Sequence, residues 1–183
     1  MAIPTEKRYR LSMSWNYEKD EAWLSEQSRQ GLQLKKVGIF SYTFTRDVAM
    51  RYAYALDFQN GLGRGDKFEA YLELYRDAGW EHVSSYGGMW HYFRREWQPD
   101  EHPRLYTDYE SLVTHFQKIK RVFISLLFAN LTIMIINMFN LLSRFNDRPW
   151  SIIVPVLFIY VCIFIILGYG ISAFGKKIQK LQQ

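Results

Sequence analysis

Two long apolar runs dominate the last third of the chain. Residues 122–142 (VFISLLFANLTIMIINMFNLL) and 151–173 (SIIVPVLFIYVCIFIILGYGISA) carry no ionised side chain. A bilayer span needs about 20 mostly apolar residues at about 1.5 Å rise each, so both runs are long enough. The connector is short, which predicts an antiparallel transmembrane hairpin. Ahead of the runs, apolar and polar residues alternate with shorter periods.

Tyr9, Leu11, Met13 and Trp15 alternate with Arg8, Arg10, Ser12 and Ser14, the period-two pattern of a half-buried strand. A helix is predicted over residues 18–30, with acids in its first turn and Gly31 as its stop. Strands are predicted over 32–37 and 39–45. The series then recurs: a strand over 51–58, a helix over 66–78 stopped by Gly79, and strands over 81–85 and 89–94. Gly87-Gly88 supplies the last turn.

The recurrence extends to residue identity. Glu21-Ala22-Trp23-Leu24 matches Glu69-Ala70-Tyr71-Leu72 at an offset of 48 (69 − 21). The offset persists through Gly31 and Gly79, Tyr42 and Trp90, Phe44 and Tyr92, and Arg46 and Arg94. Upstream it shortens to 43 if Tyr9, Leu11, Met13 and Trp15 match Tyr52, Tyr54, Leu56 and Phe58, which makes residues 61–65 an insertion. The expected fold is α+β: a duplicated βαββ head, an antiparallel sheet of about six strands with two helices on one face, then the two-helix hairpin.

Charge then orients the chain. Lys118, Lys120 and Arg121 precede the first run, and Lys176, Lys177 and Lys180 follow the second. The connector has only Arg144 and Arg148, offset by Asp147. By the positive-inside rule both termini are expected to be cytoplasmic. No apolar stretch opens the sequence, so no signal peptide is expected. The single cysteine, Cys162, lies inside the second run and has no intrachain partner. A net charge of +5 suits an anionic leaflet. No basic stripe is interleaved with stacking aromatics, which argues against a nucleic-acid partner. The expected divisions are a head (1–95), a linker (96–107), a juxtamembrane helix (108–121), the first span (122–142), a loop (143–150), the second span (151–173) and a basic tail (174–183). Thr107-Asp108-Tyr109-Glu110 has the spacing of a capping box and predicts a helix start there.

Candidate chemistry is sparse. His82, His91, His102 and His115 make no metal-ligand spacing, and no nucleophile motif is present, so no catalytic residue, metal or cofactor is expected. The glycines at 61, 63 and 65 lack a following GK[ST] and read as a flexible loop with Asp66 capping the next helix. Aromatic residues make up 17% of the chain. Trp15, Tyr42, Tyr54, Trp80, Trp90 and Tyr92 are candidates to line a groove between the repeats, with Asp57 or Glu69 balancing a cationic amphipathic ligand. The competing reading of these rings is core packing. In the first span, Asn130, Asn137 and Asn140 share one helix side, and in the second Gly168 and Ser172 are small residues one turn apart. Both sets suggest packing within the hairpin, in a homo-oligomer or against another membrane subunit.

Two resemblances follow from these residues. The strand–helix–strand–strand order resembles the duplicated GyrI-like ligand-binding domains, which implies a groove between halves that takes bulky, often cationic molecules. Separately, the runs Glu21-Ala22-Trp23-Leu24, Phe40-Ser41-Tyr42-Thr43-Phe44, Ala78-Gly79-Trp80-Glu81 and Trp90-His91-Tyr92-Phe93-Arg94 resemble a domain-of-unknown-function family. Its members are bacterial, mainly Firmicute, membrane proteins, often encoded beside PadR-type transcriptional regulators. That likeness implies a regulatory or envelope-stress setting. The functions it leaves are a membrane-anchored sensing or interaction module, an accessory subunit of an export or resistance complex, or, with least support, an enzyme.

Overall fold

The structure, a computed structural model, describes residues 4–63, 65–99, 104–106, 108–144 and 150–182. Most of the loop between the apolar runs, part of the linker, Arg64 and Thr107 lie outside the described residues. The chain forms two compact units, Met1–Thr107 and Asp108–Gln183.

The first unit contains β1 (Thr5–Tyr9), α1 (Tyr17–Arg29), β2 (Leu32–Val37), β3 (Ser41–Arg46), β4 (Tyr52–Phe58), α2 (Asp66–Asp77), β5 (Glu81–Tyr86) and β6 (Trp90–Glu96). The class is α+β. Among the described residues, six antiparallel strands form two sheets of three, ordered β1-β3-β2 and β4-β6-β5, one for each repeat. The duplication reaches fine detail. Each helix ends at a glycine with φ of 79°, Gly31 and Gly79, where a side chain would be strained. Each following strand shifts register at the same place, between Leu34 and Lys36 and between His82 and Ser84.

The first strand is not where alternation placed it. Tyr9 and Leu11 are exposed, and Ser14–Asn16 form a turn of 3₁₀ helix. β1 lies upstream, with Glu6 opposite Phe44 and Arg8 opposite Tyr42. Phe58 opposes Trp90 in the second sheet, so Arg8 corresponds to Phe58 and the offset here is 50 (58 − 8). The stretch from Arg8 to Glu21 is then two residues longer than that from Phe58 to Glu69 (21 − 8 against 69 − 58), and residues 61–65 are no insertion. The pattern misled because β1 is an exposed strand whose one half-buried residue is a charged one, Arg8. Arg8 donates to Glu6 and to the Gln27 side chain, so it is satisfied without apolar packing.

The helices use opposite faces of the second sheet. Trp90 and Tyr92 of β6 face Tyr17 of α1 and Tyr42 of β3, whereas Phe93 faces Tyr71 and Tyr75 of α2. Burial of Ala55, Tyr71, Trp80 and Phe93 forms the core under α2. Helix α1 also runs along the open edge of β4. The Tyr52, Tyr54 and Leu56 amides donate to Ser28 Oγ, Ser25 Oγ and Glu21 Oε1, at 2.7, 3.0 and 2.8 Å. Residues 21, 25 and 28 share one helix face, while alternate amides of a strand point to one edge. Side chains thus complete a ladder that would otherwise invite pairing with another chain.

The second unit consists of α3 (Tyr109–Arg144) and α4 (Trp150–Leu181), packed on each other. Both are long and apolar enough to cross a membrane. The cap of α3 is Asp108, whose Oδ1 accepts from the Ser111 amide at 2.7 Å. The helix runs unbroken past Lys118 for 36 residues, about 54 Å. On α4 the buried residues Ile153, Tyr160, Leu167 and Phe174 recur every seven positions, with Gly170 between the last two. This is the seam expected of two helices packed at a shallow angle. Residues 174–181, read as a tail, continue α4.

Candidate functional site

A small cavity lies inside the first unit, between its two repeats. It measures about 70 Å³ and is walled by Tyr17 and Asp20 of α1, Tyr42 of β3, Leu56 of β4 and Trp90 and Tyr92 of β6. The segment Ser12–Ser14 and Val37–Ile39 close its rim. Ligand pockets for drug-sized molecules run to about 300–1,000 Å³, so this cavity fits a single polar headgroup or a few waters.

Among the described residues, Asp20 is the only carboxylate lining the cavity, and it is 4% exposed. Burial pushes its carboxyl above the usual range, and hydrogen bonds from Ser12 and Arg10 and the Arg10 charge pull it back. The Arg10 guanidinium donates to Asp20 Oδ1 at 2.9 Å and lies 5.0 Å from the centre of the Trp23 ring. A cation therefore already sits at the carboxylate, and it belongs to the chain. Ser12 and Tyr42 share a hydrogen bond of 2.6 Å at the rim. Burial raises the phenols of Tyr17, Tyr42 and Tyr92, so all three remain protonated donors at neutral pH.

The sequence candidates separate into distinct places. Tyr42, Trp90 and Tyr92 converge on the cavity. Tyr54 does not line it. Its hydroxyl accepts from the Leu34 amide at 2.9 Å and ties β4 to β2. Trp80 is buried in the core under α2, Glu69 is exposed on α2, and Trp15 is half-buried in the 3₁₀ turn. Asp57 is fully buried on the opposite face of the second sheet, so it does not balance charge in the groove. Asp20 and Tyr17 were missed by sequence reasoning. Their signal was helical spacing: residues 17, 20, 24, 27 and 28 form the buried stripe of α1, and one of them is an acid.

Asp57 organises a second polar cluster. Its carboxylate accepts from the hydroxyls of Tyr71 and Tyr75, at 2.7 and 3.0 Å, and from that of Tyr106. Burial first, and the Asp57 charge second, push all three phenols far above their ordinary value. Across the ladder, Asp57 opposes His91. The His91 Nδ1 and His82 Nε2 atoms both meet Ser85 Oγ, at 2.8 and 2.9 Å. Burial lowers both imidazoles, and the neighbouring His91 lowers His82 further, so both are neutral at pH 7. The arrangement anchors α2 and the Leu105–Tyr106 segment to β4, with Leu105 packed on the adjoining core.

In the hairpin, Asn137 donates to the Tyr160 hydroxyl across the helix pair at 2.6 Å. Asn130 instead donates to the Leu126 carbonyl of its own helix, and Asn140 is exposed. Gly168 and Ser172 lie outside the seam, and a Cβ added at Gly168 would meet nothing. The small residue within the seam is Gly170.

A duplicated α+β head followed by two long apolar helices defines the class of this protein. Residues 16–128 match a family described as a protein of unknown function, DUF2812, over more than half of the chain. The chain belongs to that family. The match begins at the start of α1 and ends within α3. No curated protein and no solved structure matches the chain.

Proposed function

We propose that the chain is a membrane-anchored recognition module: α3 and α4 cross the bilayer, and the duplicated head receives a small amphipathic cation or a protein partner on the cytoplasmic side. The observation that carries the head reading is the cavity itself, a buried carboxylate ringed by Tyr17, Tyr42, Trp90 and Tyr92. Aromatic faces and a desolvated carboxylate together favour an ammonium or guanidinium group. The cavity volume favours entry of a headgroup alone, with any apolar tail left outside. Arg10 occupies the cation's place, so binding exchanges Arg10 for the ligand.

The anchoring reading draws on apolar side chains left uncovered along both helices, among them Phe128, Ile135, Phe139, Phe158, Ile165 and Ile166. Such a surface is costly in water and stable in lipid. The cations before α3's apolar run and after α4's support a cytoplasmic location for both termini. The proposed regulatory or envelope-stress setting draws on the resemblance to a family often encoded beside PadR-type regulators. A second reading, an accessory subunit of a membrane export or resistance complex, draws on the exposed amide of Asn140 within the apolar run.

The test is thermal unfolding of the full chain in detergent against alkylammonium and alkylguanidinium compounds and their neutral analogues. The cationic members are expected to raise the melting temperature, and Asp20→Asn to abolish the shift. No shift from any cation, or an equal shift in Asp20→Asn, contradicts the ligand reading.

A further inference from the structure

The turn that joins β2 to β3 carries two large apolar residues at its tip. The Gly38 amide donates to the Ser41 carbonyl at 2.7 Å, which leaves Ile39 and Phe40 as the turn itself. Turns this tight favour Gly, Asn and Asp. The hairpin of the second repeat follows that preference and turns through Gly87 and Gly88, both at positive φ. Ile39 and Phe40 therefore do not serve the turn. Beside them, the Arg10 amide donates to the Phe40 carbonyl, so the segment from Tyr9 to Leu11 runs along the tip. Arg10 turns in to Asp20, whereas Tyr9, Leu11, Ile39 and Phe40 are each more than half exposed. Four large apolar side chains thus share one uncovered end of the first sheet.

Exposed cations border this end. Lys7 and Lys36 both oppose Thr43 and so share one face of the sheet, with Tyr9 two residues along from Lys7. The Lys7 ammonium lies 5.4 Å from the centre of the Tyr9 ring. Lys35 stands exposed at the register shift of β2. The opposite face, with Tyr42 and Phe44, is taken by Trp23 of α1. Among the described residues none of Lys7, Lys35 and Lys36 is held in an ion pair. The acids of residues 1–50 are placed otherwise. Glu6, Asp20 and Glu26 pair with arginines, Glu21 and Asp47 accept from backbone amides, and Glu18 stands on the first turn of α1.

An apolar tip bordered by unpaired cations matches the headgroup zone of an anionic bilayer, where aliphatic chains and rings enter the interface and ammonium groups meet phosphates. The chain keeps such a surface at hand. Tyr106 is bound to Asp57 in the head, and the first apolar run opens at Val122, sixteen residues on (122 − 106) and about 24 Å as helix. We propose that the β2–β3 turn and the Tyr9–Leu11 segment dock the head, reversibly, on an anionic membrane surface. Leu11, Ile39 and Phe40 reach the upper acyl carbons, Tyr9 lies among the headgroups, and Lys7, Lys35 and Lys36 meet the phosphates. The proposal rests on the reading that α3 and α4 cross a bilayer, and adds a second contact that sets which way the head faces it. Because Ile39 also borders the cavity, docking brings the cavity mouth to the lipid.

The full chain in lipid nanodiscs tests this. With Cys162→Ser, an environment-sensitive fluorophore is attached at Phe40→Cys, or, as a control on the other hairpin, at Met89→Cys. In nanodiscs containing phosphatidylglycerol the label at position 40 is expected to shift to the blue and to be quenched by spin-labelled lipid, and the label at position 89 to stay unquenched. Phosphatidylcholine alone, or Lys7→Gln, Lys35→Gln and Lys36→Gln together, should lower the ratio of docked to free head about a hundredfold, at roughly fivefold per cation. Leu11→Ser with Ile39→Ser should lower it about tenfold or more. All five side chains are exposed, so both sets should keep the parent's melting temperature. Absent quenching at position 40, equal quenching at 40 and 89, or quenching indifferent to lipid charge and to the lysine substitutions overturns the proposal. A blue shift that grows with protein concentration and is not quenched by lipid marks a contact between protein copies, and also overturns it. Alkaline extraction from phosphatidylcholine vesicles separates this proposal from the reading it rests on. A chain that is extracted removes the bilayer reading and this proposal with it. A chain that resists extraction yet shows no quenching at position 40 removes this proposal alone.

Discussion

Replacing Asp57 with alanine is expected to lower the stability of the head by about 4 kcal/mol, with Asp57→Asn costing roughly half as much. Three phenols donate to this carboxylate, which is fully buried. A hydrogen bond to a charged group contributes about 1.5–3 kcal/mol, and each stranded hydroxyl adds a desolvation cost. Alanine removes every acceptor. Asparagine keeps one carbonyl oxygen and turns an amide toward hydroxyls that must then rotate. Thermal unfolding followed by tryptophan fluorescence checks this, with a fall of roughly 20 °C expected for a unit of this size. A loss within about 1 kcal/mol for Asp57→Ala would show that the cluster is incidental to folding.

The same cluster sets a pH dependence. The phenols of Tyr71, Tyr75 and Tyr106 titrate well above 10.0 in the folded chain, chiefly through burial and then through the Asp57 charge. The unfolded chain therefore releases these protons first as pH rises. Their contribution is fully present below about pH 10 and falls above it, by up to about 1.4 kcal/mol per pH unit per tyrosine. Burial of Tyr17 and Tyr92 adds to the slope. In Asp57→Ala the decline should level off at a lower pH, because one cause of the raised values is gone.

The second large effect concerns the edge of β4. Combining Glu21→Ala, Ser25→Ala and Ser28→Ala should destabilise the head by about 3–5 kcal/mol, because three strand amides lose their acceptors at roughly 1–3 kcal/mol each. Ser28 is 1% exposed, so water does not readily replace it. Its hydroxyl also donates to Gln33 Oε1, and Gln33 in turn donates to the Met50 carbonyl. Hydrogen exchange reads the effect locally. The amides of Tyr52, Tyr54 and Leu56 should be among the slowest in the parent and exchange at least tenfold faster in the triple variant. Unchanged protection there would mean that α1 is not what closes this edge. The exposed ladder should also promote self-association, visible in light scattering.

These two sites differ in how far the sequence exposes them. The helices, five of the six strands and the repeat follow from periodicity, because α1, α2 and the strands from β2 onward bury apolar residues at regular spacing. β1 escapes that logic because its one half-buried position is Arg8, while Tyr9 and Leu11 lie on the surface. Glu21, Ser25 and Ser28 look like ordinary polar positions of an amphipathic helix, since their acceptor role depends on a strand some thirty residues away. The Asp57 cluster is hidden for a similar reason. Tyr71 and Tyr75 share a helix face, but Tyr106 joins them only through tertiary folding. The fold brings Tyr42, Trp90 and Tyr92 to the cavity wall, and the aromatic character of all three was legible. Their counter-charge was not, because an acid on the buried stripe of α1 resembles any other helical acid until the stripe is drawn.

Anchoring by a hairpin with both ends on the cytoplasmic side is the central claim, and site-directed labelling tests it most directly. With Cys162 replaced by serine, single cysteines at Phe40, Trp150 and Lys180 are exposed to a membrane-impermeant maleimide in intact cells. The account predicts labelling at position 150 alone, with positions 40 and 180 reacting only after the membrane is opened. Labelling of 40 or 180 from outside, or release of the chain from membranes by alkaline carbonate, would contradict it.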